Sequence, residues 1–146
     1  MPRELTMMDE HEMQGCGVMP VRRMTLPIPT EDEEQRVVVQ WLQLHGILFA
    51  HVPNGGYRRR VEAAIFRGLG VQPGVPDLLI FDPPPAAPDR RGVALELKRR
   101  QGGRLTEPQR QWLEALRARG WYATVCRGAD EAIETLERLG YGRRSA

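Results

Sequence analysis

Two short stretches, DLLIF at residues 77–81 and VALELK at residues 93–98, decide which fold this chain can adopt. The first is an unbroken apolar run behind an aspartate, which is typical of a buried strand. The second alternates with period two, so Glu96 and Lys98 share the face opposite its leucines. If the two strands lie side by side, Asp77 meets Glu96 and Lys98 at one place.

These three side chains are the minimum set for metal-assisted hydrolysis of a phosphodiester. Two carboxylates supply the hard oxygen ligands that Mg²⁺ prefers, and an amine beside them can approach the attacked phosphate. Lys98 is the only lysine of the chain, against twenty arginines, and its compact ammonium acts as a point charge more readily than a planar guanidinium. An ordinary hairpin with charges on its solvated face has the same pattern, so this pattern alone leaves both interpretations open.

The composition indicates one globular domain with an uneven charge distribution. The chain has 146 residues, of which 41% are hydrophobic and 27% are charged. Residues 36–127 carry 15 basic and 7 acidic side chains, a local excess of 8 positive charges. Such an excess favours a polyanionic partner such as nucleic acid, although an arginine-rich bias of the whole composition would produce it as well.

Several classes of function find no support in the sequence. Cys16 and Cys126 form neither a disulfide framework nor a CxxC zinc motif, and the three histidines lack the spacing of metal ligands. There is no Ser/His or Cys/His constellation. We also find no apolar run of transmembrane length and no signal peptide, so a cytoplasmic setting is expected.

The order of predicted elements implies an α/β fold, with a mixed sheet sandwiched between helices. We expect a loosely ordered arm at residues 1–29, a domain at 30–140 and a basic, frayed tail at 141–146. Capping boxes at Thr30 and Thr106 open two of the helices. The predicted helices cover residues 30–46, 61–68, 106–120 and 129–139, and the strands cover residues 47–52, 77–81, 93–98 and 121–126. The first helix is expected to bury Val37, Val38, Trp41, Leu42 and Leu44.

Two of these helix starts carry side chains with two possible uses. The acids at positions 31–34 complement the helix macrodipole, and one of them could instead reach a metal from the helix start. Gln109 completes the second capping box, or it could point back at the site to orient water or substrate.

Two glycine-containing basic loops are candidate DNA contacts. The turn PNGGY at residues 53–57 runs directly into three arginines, and a second basic loop covers residues 99–104. Glycines let such loops approach a phosphate backbone closely, although a tight turn before a solvated helix would look the same. The predicted DNA-binding residues are Asn54, Gly55, Tyr57, Arg58, Arg59, Arg60, Arg99, Arg100 and Arg104.

Five pieces in the right order make residues 30–139 resemble a stand-alone VRR-NUC domain of the PD-(D/E)XK nuclease superfamily, of the bacterial or viral type. They are Glu31 with Gln35, HVPNGG at residues 51–56, GVPD at 74–77, ELK at 96–98 and LTEPQ at 105–109. The family's name segment, a helical Val-Arg-Arg, has only a loose counterpart in RRRV at residues 58–61. Each piece is weak by itself, and the set together is specific.

The resemblance implies a restriction-endonuclease-like fold and a divalent-metal endonuclease acting on DNA. By that resemblance the metal ligands for Mg²⁺, or Mn²⁺ in its place, are Glu31, Asp77, Glu96 and Leu97. Lys98 positions or activates the attacking water and stabilises charge on the phosphorane, and Gln109 orients the substrate side. The resemblance further implies a nick that leaves 5′-phosphate ends.

Stand-alone members resemble junction-resolving enzymes, so the resemblance also implies a homodimer and a branched DNA substrate such as a four-way (Holliday) junction. Larger relatives act in the repair of branched or crosslinked DNA. A chain this small has few means of reading a base sequence, which favours cleavage selected by DNA structure. The alternative is a nucleic-acid-binding module, or a nuclease subunit, that has no cleavage activity of its own.

Overall fold

The computed structural model describes residues 25–53 and 60–143, and in these ranges the chain forms four helices and four strands. The predicted arm therefore lies outside the described residues except for residues 25–29, which belong to no helix or strand. The elements in chain order are α1 (Glu31–Leu44), β1 (Phe49–His51), α2 (Arg60–Gly68), β2 (Leu78–Ile80), β3 (Val93–Lys98), α3 (Glu107–Ala118), β4 (Tyr122–Arg127) and α4 (Ala129–Arg138).

The four strands form one mixed sheet in the order β1-β2-β3-β4. β2 pairs antiparallel with β1 and with β3, and β3 pairs parallel with β4. Leu78 lies opposite Leu95 in the β2–β3 register, so the two predicted strands are neighbours. The α/β class and the mixed sheet flanked by helices are thus confirmed.

The sheet separates a large core from a small one. The odd-numbered residues of β3, including Leu95 and Leu97, pack with Val38 and Leu42 of α1 and with apolar residues of α4. Ala94 on the other face packs with Leu113 of α3. Alternation in β3 therefore places Glu96 and Lys98 on the α3 face, and all six residues of the strand are buried.

Both predicted capping boxes are present and fix where α1 and α3 begin. Thr30 Oγ1 accepts a hydrogen bond from Glu33 N, and Thr30 N donates to the Glu33 carboxylate at 2.7 Å. The second box is built in the same way between Thr106 and Gln109. None of the helices in the described ranges is long and apolar enough to cross a membrane.

The predicted apolar face of α1 was too wide. Val38 and Leu42 are fully buried and Trp41 is half-buried, but Val37 is 46% exposed and Leu44 is 81% exposed. Only one stripe of α1 faces the sheet, because the helix packs against the sheet on one side and faces solvent on the other.

The predicted tail boundary was also wrong at Tyr141. This residue is 4% exposed, and its hydroxyl donates a hydrogen bond to the main-chain oxygen of Asp82 in the loop between β2 and β3. The bond closes the C-terminal end of the chain over that loop, so the packed structure extends past residue 140. Residues 144–146 of the predicted tail lie outside the described residues.

Glu34 joins three elements that are distant in sequence. It is 2% exposed, and its Oε1 accepts a 2.7 Å hydrogen bond from Arg100 Nε. Its second oxygen accepts from Ala129 N at the start of α4, where the N-cap residue Gly128 provides no side-chain cap. Glu34 therefore caps α4 from α1, and Arg100 also reaches Asp130.

We expect Glu34→Ala to lower the free energy of unfolding by about 2 kcal/mol, because it leaves the Ala129 N–H at the start of α4 without its acceptor and Arg100 without its buried carboxylate partner. Burial alone would raise the pKa of Glu34, but the bonds from Arg100 and Ala129 N lower it below its usual value. The contribution should therefore be present at neutral pH and lost as pH falls through this depressed pKa. Urea denaturation at pH 7 and pH 3 measures both effects.

The matched control is Glu134→Ala, which removes an exposed carboxylate from α4 and should change stability by less than about 0.5 kcal/mol. Equal losses in the two variants would contradict the assigned role of Glu34.

Gly74 lies where the segment before Asp77 presses against the start of α3. Its φ is +87°, and a Cβ added there would lie 2.4 Å from the carbonyl carbon of Pro108 and 2.6 Å from Gln109 N. We expect Gly74→Ala to destabilise the protein by about 2 kcal/mol or more, because it combines a strained dihedral with a clash against backbone.

Gly46→Ala is the control for the dihedral alone, since Gly46 has a φ of +64° and a Cβ there would meet nothing within 4 Å. It should cost about 1 kcal/mol in the same denaturation experiment. If Gly74→Ala costs no more than Gly46→Ala, the segment before Asp77 does not require contact with α3.

Candidate active site

The Asp77 carboxylate is fixed at the point where β2 begins. Its Oδ2 accepts a hydrogen bond from Leu97 N at 2.8 Å, which extends the contact between β2 and β3 beyond their ladder. Its main-chain oxygen accepts from Val52 N at 3.0 Å and lies 2.7 Å from His51 Nδ1. Since a carbonyl can only accept, this ring nitrogen is the protonated one.

Glu96 lies beside Asp77 and is 2% exposed. Its Oε1 accepts a 2.9 Å hydrogen bond from Gln109 Nε2 and lies 3.3 Å from Lys98 Nζ. Lys98 is itself only 7% exposed. The structure therefore brings together three of the predicted catalytic residues, Glu96, Lys98 and Gln109, next to Asp77.

Gln109 completes the capping box and also points back at the site, where its partner is Glu96. Its Oε1 accepts from Thr106 N at 2.9 Å to complete the capping box, and its Nε2 donates to Glu96. An amide can do both at once because it carries an acceptor and a donor. A glutamate would also complete the box, but it would place a second negative charge against Glu96.

The two carboxylates repel one another in a partly desolvated place. Burial, together with the charge of Asp77, raises the pKa of Glu96 to about 7, although Lys98 opposes the increase. Burial also raises the pKa of Asp77 against the lowering effect of the bond from Leu97 N, and the charge of Glu31 adds to the rise. A cation between the carboxylates would relieve both effects.

The acidic residues at the start of α1 differ in the partners that they contact. Glu33 closes the capping box and Glu34 binds Arg100 and α4, so both have structural partners. Glu31 instead faces the site, because a Cβ added at Gly103 would lie 3.7 Å from Glu31 Oε1 and 3.6 Å from Lys98 Cδ. Within the described ranges, however, no three His, Cys, Asp or Glu side chains lie close enough to share a metal ion.

A cleft of about 800 Å³ opens between α1 and β1 and leads to Asp77 and Leu97. Glu31 and Asp32 at the start of α1 also line it, and the remaining lining comes from the next two turns of α1 and from His51 and Pro53. Sequence reasoning missed this cleft and the part that His51 takes in it, since the histidine has no partner at any recognisable spacing.

The predicted DNA-binding residues have different surroundings. Arg99 and Arg104 are exposed, whereas Arg100 binds Glu34 and Asp130 of its own chain, a different use from the phosphate contact that we predicted. Asn54, Gly55, Tyr57, Arg58 and Arg59 lie outside the described residues, and Arg60 is described only as the first residue of α2. Arg127 holds the second loop by donating to the carbonyls of Gly102 and Gly103.

Comparison with known proteins agrees with this geometry. The sequence model of the VRR-NUC domain matches residues 29–130. A solved structure described as a VRR_NUC domain protein is 30% identical and superposes with a TM-score of 0.64, covering 79% of this chain and 91% of that one. Comparison with curated proteins gives no significant match. The match over more than half of the chain, together with the shared fold, shows that this protein belongs to the VRR-NUC domain family, which is a family of nucleases.

Proposed function

We propose that this protein is a divalent-metal-dependent DNA endonuclease that hydrolyses phosphodiester bonds at Asp77, Glu96 and Lys98. The observation that carries the proposal is the way the two carboxylates are held. Each is anchored through one oxygen, Asp77 by Leu97 N and Glu96 by Gln109 and Lys98. Among the described residues nothing donates a hydrogen bond to Asp77 Oδ1 or Glu96 Oε2.

The donor set fits Mg²⁺, with Mn²⁺ as a substitute, because hard cations prefer carboxylate and carbonyl oxygens. Asp77 and Glu96 would hold the ion directly, and Leu97 would add its main-chain oxygen. Glu31 would act through a water, since it forms no three-carboxylate cluster with them. When bound, the ion supplies a water of lowered pKa and positive charge beside the phosphate.

The residues around the carboxylates would contribute charge stabilisation and positioning. Lys98 sits 3.3 Å from Glu96 in a largely dry position, where its charge offsets the negative charge that grows on the phosphate in the transition state. Gln109 keeps Glu96 in place from the start of α3. Water would be the nucleophile, so no side chain would have to form a covalent intermediate. The products would carry 5′-phosphates.

The substrate and the assembly complete the proposal. A branched DNA, such as a four-way junction, suits an enzyme with two active sites in a homodimer, because two-fold symmetry matches two symmetric cuts. Exposed Arg99 and Arg104, and the basic turn at residues 54–60, would contact phosphates. Light scattering of the purified protein tests the dimer independently of any cleavage.

We expect Asp77→Asn and Lys98→Ala each to reduce cleavage of a labelled four-way junction in Mg²⁺ by at least about a hundredfold, because each removes charge from the reacting centre. Binding of the same junction should persist. Glu114→Gln and Arg110→Ala, which change exposed residues of α3, are the matched controls and should cleave normally.

Undiminished cleavage by either site variant would overturn the site assignment. Binding of flap, junction, duplex and single-stranded DNA without cleavage of any of them, in either Mg²⁺ or Mn²⁺, would favour the alternative of a binding module or inactive subunit.

A second test follows from the raised pKa of Glu96. Because this pKa is about 7 in the folded protein against 4.5 ordinarily, the folded state binds the proton more tightly, so stability falls as pH rises between these values. In EDTA at pH 8 we expect Glu96→Gln to be more stable than the native protein by about 2 kcal/mol.

Adding Mg²⁺ should raise the melting temperature of the native protein and leave that of Glu96→Gln nearly unchanged. Thermal denaturation followed by circular dichroism measures both effects without any substrate. A variant less stable than the native protein at pH 8, or one that Mg²⁺ stabilises equally, would contradict the role of Glu96 as a ligand.

A further inference from the structure

The cleft between α1 and β1 has a lining that suits bases better than phosphates. Beyond the carboxylates at the site, it is lined by Gln35, Arg36, Val39, Gln40, His51 and Pro53. The α1 members are four residues apart in pairs, which places them on one face of the helix over two turns. Val39 offers apolar surface, the rings of His51 and Pro53 offer flat faces, and the two glutamines offer both donors and acceptors.

Among the residues that the structure describes, the lining carries too little positive charge for a duplex groove. Arg36 is the only cation among the described lining residues, whereas Glu31, Asp32 and Asp77 supply three carboxylates at the site end. Duplex binding depends on neutralising many phosphates, so this lining would bind a duplex poorly. A ligand held mainly through its bases would need little positive charge.

The volume of the cleft also favours a single strand over a duplex. A volume of about 800 Å³ lies within the range of small-molecule sites, about 300–1,000 Å³, and therefore accommodates a few nucleotides of one strand. In a duplex the bases are stacked inside, where Val39 and His51 cannot touch them.

We propose that this cleft binds an unpaired DNA strand, a few nucleotides long, and leads it along α1 to Asp77. Arg36 holds one phosphate, Gln40 bonds to a base edge, and a base stacks on His51. This inference rests on the proposed nuclease function and names the form of its substrate: a strand frayed or single at the point of cleavage, as at the branch of a junction or the base of a flap.

Binding should be measured by fluorescence anisotropy in Mg²⁺, in the Lys98→Ala background so that the DNA stays intact. The probes are a labelled short oligothymidylate and a labelled blunt duplex of matched length. We expect Arg36→Ala and Gln40→Ala each to weaken oligothymidylate binding about tenfold while changing duplex binding less than about twofold. Arg36→Ala should also make the logarithmic salt slope for the oligothymidylate shallower by about 0.7, the value for one phosphate on a single strand.

Gln43→Ala and Arg110→Ala are the matched controls, since both residues are exposed and neither lines the cleft; they should alter neither affinity. Equal losses for the two probes, or no loss for the oligothymidylate, would overturn the single-strand assignment. Because binding is read without cleavage, such a result leaves the endonuclease proposal standing. Conversely, selective loss in a protein that cuts no DNA would retain the cleft assignment and remove the enzyme.

Discussion

The hydrogen bond from Leu97 N to Asp77 Oδ2 is the contact on which the arrangement of the site depends. The main-chain pairing between β2 and β3 ends at Leu78 and Leu95. The residues beyond this pair, toward the site, are not paired between the two strands. The Asp77 side chain takes the place of a strand in satisfying a buried N–H of β3. It thereby sets one carboxylate beside Glu96, which points to the same end of the sheet.

Holding two carboxylates in this way opposes folding, and the surroundings limit the cost. Burial and the nearby charge of Asp77 raise the pKa of Glu96, while burial and the charge of Glu31 raise the pKa of Asp77. Lys98 and the amide of Gln109 provide partial compensation at one oxygen of Glu96. A divalent cation bound by both carboxylates would remove the remaining repulsion, so its binding would stabilise the folded protein.

Most of the fold could be predicted from local sequence patterns. The contacts that sequence reasoning missed join residues that are far apart in the chain. Alternation in β3 and the two capping boxes involve residues within a few positions of one another, so the sequence shows them directly. Glu34 and Arg100 are 66 positions apart, and no period links them. The buried hydroxyl of Tyr141 meets Asp82 across 59 positions. For that reason the sequence showed neither the ion pair of Arg100 with buried Glu34 nor the burial of Tyr141.

The two capping boxes show how a site can nevertheless be recognised from local sequence. Both have threonine at the N-cap and a residue at N3 whose side-chain oxygen returns to the cap, but the first uses Glu33 and the second Gln109. For capping alone a carboxylate is the better choice, because it also complements the helix macrodipole. An amide at this position is explained once a second partner requires a donor, and here that partner is Glu96. The use of glutamine at a position where glutamate would cap better therefore marks the end of the helix that faces the carboxylates.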